Sequence, residues 1–468
     1  MSQTAMTPRS PAAPPGARQS RTGQDTARLH AKVARRLVPL LGLLYLVSYL
    51  DRSNIAFAGP NGMNEDLGLT ASAYGLASGI FFLGYVALEI PSNMALHRFG
   101  ARRWLVRILL TWGLVAAATT WVVNGTELDI ARLLLGVAEA GCLPGIVLYL
   151  TYWFPAKART RLNALFFLSL PLATVLGAPL SSLVIEHADG LFGLAGWRAM
   201  FLVEGVPALL LAVLVWKVLP DGPRDAKWLT PRERDTLLAE LEPEQGPSDR
   251  PQDRPAGRRG GTAVREWLGP RALALGVAYF GLIYGLYALG FFLPTIIAGF
   301  AGASGRPFGL LERGLINAVP YAVAAVAMLL WSHRGRRDRG PGVRVAAPTV
   351  LGALAVPVAL EMHGPLATMA VVTVTAVGTL CAIPAFWSLP TEMLSRRAAP
   401  AGIALVNSLG SLSGFAAPYF TGWLKDGTGS TRPGLWLAGA LMLLSAVIVL
   451  ALGRARDTGP AAHAPDVR

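Results

Sequence analysis

Charge is scarce in this chain. Only 15% of its 468 residues are Asp, Glu, Lys or Arg, where a soluble domain carries about 25%. Cysteine is scarcer: Cys142 and Cys381, both inside apolar runs, exclude a disulfide framework and any cysteine-based metal site. The six histidines form no HxxxH or HExxH pattern. There is no GxxxxGK phosphate loop and no GxSxG elbow, which argues against an enzyme and against ATP-driven transport. No cofactor or metal is implied. Residues 1–30, rich in Pro, Ala, Gly, Ser and Arg, lack the short apolar core of a signal peptide and read as a disordered tail.

What the chain has instead is apolar length. Hydrophobic residues make up 53%, and between residues 37 and 453 they gather into twelve runs of spanning size, about 20 residues each. The formal charge of +14 comes from Lys and Arg clustered in short stretches between those runs. That is the habit of cytoplasmic loops in a multi-pass membrane protein, not of a nucleic-acid binder. The loops with Arg98, Arg102, Arg103 and Arg107, with Lys157, Arg159 and Arg161, with Arg334, Arg336, Arg337 and Arg339, and with Arg396 and Arg397 would be cytoplasmic. Alternate loops carry Glu65, Asp66, Glu127, Asp129, Glu186, Asp189 and Glu361. Both termini are therefore expected inside.

Residues 220–270 are polar and read as a cytoplasmic linker with one short helix. Thr230-Pro231-Arg232-Glu233 opens it as a capping box, and Leu237, Leu238 and Leu241 supply its apolar stripe. The expected division is a disordered cytoplasmic tail over 1–36, a six-helix bundle over 37–219, the linker, a second bundle over 271–453, and a cytoplasmic tail over 454–468. A repeat agrees: His97-Arg-Phe-Gly-Ala-Arg-Arg103 follows the second run and His333-Arg-Gly-Arg-Arg-Asp-Arg339 the eighth. Two parallel halves with a midplane site between them is a transporter plan.

Four ionisable residues inside the runs, Asp51, Arg52, Arg132 and Glu139, form one candidate set. Asp51 lies roughly 21 Å along the first, Arg132 roughly 6 Å and Glu139 roughly 16 Å into the fourth, which runs the other way. Such groups are costly in a membrane and mark a functional site by default. Arg52 and Arg132 suit a carboxylate through bidentate hydrogen bonds, while Asp51 and Glu139 suit proton uptake. The plainer alternative is a static ion-pair network joining spans one and four. Tyr45, Tyr49 and Arg52 share one helix face. So do Phe280, Tyr284, Tyr287 and Phe291, with Phe280 and Phe291 read as packing and Tyr49 and Tyr284 as pocket hydroxyls. Glu89, near His97 and Arg98, reads as a gate or structural ion pair, and Glu204 as structural.

The twelve spans, the basic turns, Tyr49-Leu-Asp-Arg-Ser-Asn-Ile55, Glu89-Ile-Pro-Ser-Asn93, Gly100-Ala-Arg-Arg-Trp104, Trp153-Phe-Pro155, Gly196-Trp-Arg198 with Glu204-Gly205, and Ala401-Gly-Ile-Ala-Leu-Val-Asn-Ser-Leu-Gly410 together resemble the major facilitator superfamily. Within it they resemble the anion:cation symporter family. The resemblance implies an all-α polytopic fold of twelve transmembrane helices in two six-helix bundles. It implies a monomer in the bacterial inner membrane that takes up a small organic carboxylate (aromatic acid, dicarboxylate or sugar acid) by proton symport through alternating access. It adds Tyr85, Trp387, Asn407 and Ser411 as pocket walls, and Arg98 and Arg102 as gating residues beside Glu89. Ala101 and Asn93 depart from the superfamily's loop motif. A proton-coupled drug antiporter is the alternative, weakened because Gly177-Ala-Pro179 is only a fragment of the antiporter pattern; a transporter-like sensor is the other.

Overall fold

A lipid-facing backbone has no water to bond, so each apolar run must satisfy its own N–H and C=O groups as a helix. The computed structural model describes residues 15–241, 269–300, 306–334, 340–362, 364–394 and 399–457, and builds twelve long helices from them. In the first half these are α1 (Pro15–Ser53), α2 (Ala71–Phe99), α3 (Ala101–Ala118), α4 (Gly125–Glu139, resuming as Cys142–Thr151), α5 (Ala156–His187) and α6 (Gly196–Val218). In the second half they are α7 (Pro270–Ala298), α8 (Leu310–Arg334), α9 (Pro341–Glu361), α10 (Pro365–Phe386), α11 (Ala399–Thr428) and α12 (Arg432–Asp457).

Among the described residues, eleven helices are long and apolar enough to cross a membrane. The twelfth, α11, has spanning length at 30 residues but carries Asn407, Ser408, Ser411 and Ser413. Large apolar side chains such as Leu114, Leu210, Val326 and Val447 face outward and exposed, as a lipid-facing surface requires. The halves keep largely separate apolar cores, although Phe291 and Phe292 of the second pack into the first.

The halves meet along two symmetric seams, α2 on α11 and α5 on α8. The seams are tightest at the end bearing the acidic loops. A Cβ on Gly75 would run into the backbone of Pro418, and one on Gly314 would meet the Ala178 carbonyl oxygen at 2.7 Å. Across that end the backbone N–H groups of Ala71 and Ser72 donate to the Asp426 carboxylate at 3.0 and 2.8 Å, and Tyr74 Oη donates to the Phe291 carbonyl at 3.1 Å. At the basic end the bridge is a side-chain one, Asn407 Nδ2 to Glu89 Oε1 at 2.6 Å.

Two stretches differ from expectation. Where composition suggested a disordered tail to residue 36, helix begins at Pro15. The reason is a partner: Leu29 and Val33 are buried, Lys32 Nζ bonds Glu233 at 2.8 Å, and His30 faces Glu240 at 2.9 Å. The linker helix Pro231–Leu241 thus folds back on the first bundle, burying Leu237 and Leu241. Its capping box forms as expected: Thr230 N–H donates to Glu233 Oε2 at 2.9 Å and Glu233 N–H to Thr230 Oγ1 at 3.3 Å. The Lys32 ammonium, aided by the Thr230 N–H, holds the Glu233 carboxyl below its usual range. The second difference is α4, broken after Glu139 by Gly141 at φ 84°, a left-handed turn packed against Ser92 where any side chain would collide. The loop arginines Arg336, Arg337, Arg339, Arg396 and Arg397, the linker from 242 to 268 and the tail from 458 lie outside the described residues.

Candidate functional site

Successive helix residues point about 100° apart, so neighbours in sequence need not be partners. Asp51 and Arg52 show this. Arg52 turns towards α4, where its NH2 donates to Glu139 Oε1 at 2.5 Å. The same Oε1 accepts from Ser48 Oγ at 2.6 Å. Asp51 turns the other way, its Oδ2 accepting from Trp112 Nε1 of α3 and its Oδ1 from Asn54 Nδ2 at 3.0 Å. Asp51, Arg132 and Glu139 are fully buried, and the Arg52 side chain is 12% exposed.

Arg132 has no carboxylate within ion-pair range among the described residues. Its Nε donates to the Ala77 carbonyl and its NH2 to the Arg52 carbonyl, both at 3.4 Å. The Phe81 ring lies between the two guanidinium groups, 4.9 Å from Arg52 and 5.3 Å from Arg132. Tyr85 adds a second face to Arg52 at 4.9 Å. Two cations are thus held close by an aromatic spacer whose π-face attracts both. Among the described residues, each still has an unpartnered nitrogen, Arg52 Nε and Arg132 NH1, and Glu139 Oε2 is also unpartnered.

Arg52 opens on a cavity of about 30 Å³ between the bundles. Tyr49, Ser53, Phe57 and Thr174 line it from the first half, and Leu286, Tyr287, Gly290, Phe291, Asn317 and Tyr321 from the second. That volume holds a water or two, whereas a ligand pocket occupies roughly 300–1,000 Å³. The bundles must part for anything larger to enter. Arg132 does not line the cavity, so the two arginines have different exposures to an incoming ligand.

The remaining expected residues divide. Tyr49 lines the cavity and Tyr85 backs Arg52. Glu89 and Asn407 bond one another across the halves, which brings an expected gate residue and an expected pocket residue into one contact. Ser411 is half-buried one turn further along α11. Trp387 is half-buried with its edge on Tyr279, centroids 5.0 Å apart, and its Nε1 unpartnered. Tyr284 lies away from the cavity, packed with Ala288, Ala416, Ala417 and Ala438. Phe291, read as packing, lines the cavity one turn beyond Tyr287 on the same face of α7. Arg98 sits exposed over Phe99, and Arg102 bonds Asp221 through its backbone N–H at 2.8 Å and lies over Trp216. Among the described residues, both arginines bond or stack within the first half and the start of the linker.

Sequence reading passed over Ser48, Trp112, Asn317, Tyr321 and Tyr279. Asn317 offered a signal, a polar side chain in an apolar run. Trp112 offered none, since its indole N–H becomes a ligand of Asp51 only through α1–α3 packing. No cluster of three or more His, Cys, Asp or Glu suited to a metal occurs among the described residues.

A sequence profile described as Major Facilitator Superfamily matches residues 41–418. A protein of Agrobacterium vitis named for tartrate transport is 43% identical, across 92% of this chain and 93% of its own. A quinolone resistance transporter of Acinetobacter baumannii is 34% identical, across 89% and 93%. Among solved structures, the xylose transporter XylE from E. coli in an inward open conformation superposes with a TM-score of 0.70 at 14% identity, covering 88% and 95%. At that identity the likeness speaks for the fold alone.

Proposed function

This chain belongs to the major facilitator superfamily, and from that premise we propose that it imports an organic carboxylate with protons across the bacterial cytoplasmic membrane. The observation that carries the proposal is the Arg52–Glu139 contact at the edge of the cavity. Arg52 is the cation exposed to an entering anion, yet Glu139 occupies it. A substrate carboxylate can take Arg52 fully only when Glu139 lets go, and protonation of Glu139 removes the charge that holds it. Proton and anion therefore favour each other's binding, which is the thermodynamic requirement of symport. The second half supplies the neutral donors Tyr287, Asn317 and Tyr321, across the cavity from Tyr49 of the first half and suited to hydroxyl or carboxyl oxygens of the ligand.

The seams support alternating access as the mode of transport. The acidic end, with backbone-to-backbone packing, is shut; the basic end is bridged by Glu89 and Asn407. With basic loops cytoplasmic, opening the Glu89–Asn407 bridge releases ligand inward. The relative named for tartrate transport favours a hydroxylated dicarboxylate as the first ligand to try. The quinolone resistance relative favours a second reading, proton-driven export of an amphiphile. Proteoliposomes with an imposed inward proton gradient separate the two. Uptake of labelled tartrate or another carboxylate from a panel, abolished by a protonophore, supports import. Quinolone efflux without any carboxylate uptake supports the second reading instead.

A further inference from the structure

Away from the seam, where Glu89 bonds Asn407, the interior of the first bundle holds three fully or nearly buried acids, Asp51, Glu139 and Glu204, and two cations, Arg52 and Arg132. Glu139 is matched by Arg52. Asp51 feels Arg132. Glu204 on α6 is the acid left over: it is 3% exposed and makes no ion pair among the described residues. An ionised carboxylate in that position would be uncompensated in an apolar bundle.

Its hydrogen bonds tell the same story. Ser181 Oγ donates to Glu204 Oε1 at 2.6 Å, while Glu204 Oε2 is buried without a partner. Among the described residues, Glu204 Oε2 thus has neither a donor nor a compensating cation, and a single proton on it removes the charge that burial penalises.

We propose that Glu204 is a resident proton site: its carboxyl is held protonated, with the Ser181 hydroxyl on Oε1 and the proton on Oε2. This deepens the proton-symport reading and rests on it for its purpose, but its readout is a carboxyl vibration that does not require transport.

The test is infrared difference spectroscopy on the purified full-length protein in lipid at neutral pH. The protonated-carboxyl C=O band is expected in the parent and lost in Glu204→Gln, which keeps shape and neutrality. Ser181→Ala, a small change at a buried hydroxyl, should retain the band and move it to higher wavenumber, because a hydrogen bond to the carboxyl oxygen has been removed. Parent and Glu204→Gln spectra that superpose in this region would overturn the proposal. So would a Ser181→Ala spectrum with the band unmoved, a result that stands even where Glu204→Gln fails to fold. Neither result bears on whether a carboxylate is the substrate.

Discussion

The two bundles share one helix plan and divide the chemistry between them. Among the described residues, every buried charge belongs to the first: Asp51, Glu89, Arg132, Glu139 and Glu204, with Arg52 at the cavity edge. The second bundle buries Asn317, Thr349, Thr375, Thr379, Ser413, Thr421 and Ser445 and a set of tyrosines, all neutral. Charge in low dielectric responds to a proton; neutral donors respond to shape. The difference teaches that coupling and selectivity can occupy separate halves, joined by the α2–α11 and α5–α8 seams.

Removing the exposed cation should break this division most severely. Arg52→Ala leaves Glu139 buried and unpaired, a change that costs about 3–5 kcal/mol when one partner of a buried pair is lost. Uptake should fall by at least about 100-fold, since roughly 1.4 kcal/mol is each tenfold in binding. Uptake assays and thermal unfolding in detergent check both; an active, stable Arg52→Ala protein would mean that Arg132 alone can serve the anion.

On the neutral side, Asn317→Ala should raise KM about tenfold through a lost hydrogen bond to a charged ligand, worth roughly 1.5–3 kcal/mol. The pH dependence of uptake should be unchanged. A shifted pH profile would show that the second bundle takes part in coupling. Tyr284→Phe should leave KM within about twofold, because Tyr284 packs among alanines away from the cavity; a larger effect would bring Tyr284 to the ligand in another conformation.

The smallest effect lies outside the membrane. Lys32→Ala should cost only about 0.2–1 kcal/mol, the usual worth of an exposed pair. The sign with pH is determined by Glu233, whose carboxyl is held below its usual range by Lys32. A depressed carboxylate stabilises the fold above the ordinary glutamate value of about 4.3, and that contribution is lost as pH falls through the lower folded value. The gap between parent and Lys32→Ala should therefore be full at pH 7 and close below about pH 4. Unfolding measured across that window checks it, and a gap constant down to low pH would remove the Lys32–Glu233 bond from the linker's anchorage.

Much of the fold was legible because each run of about 20 apolar residues has a single way to satisfy its backbone in lipid. Thr230 and Glu233 were legible for a similar local reason, since a capping box needs only four residues. The site was legible in its charges and not in its pairings. Asp51 and Arg52 are adjacent in the chain but face apart, and what decides their partners is which helix lies on each side. The indole of Trp112, the hydroxyl of Ser48 and the break at Gly141 that places Glu139 at a helix end all come from helix packing. Residues 15–36 were misjudged from composition because their helix is stabilised by a linker helix 200 residues away.

The central claim is that the charged bundle couples protons to the anion. Reconstituted Glu139→Gln and Asp51→Asn proteins should be compared with the parent for accumulation driven by an inward proton gradient and for substrate exchange without a gradient. The account predicts that exchange survives in both variants while gradient-driven accumulation is lost. Accumulation at the parent level in both would contradict it.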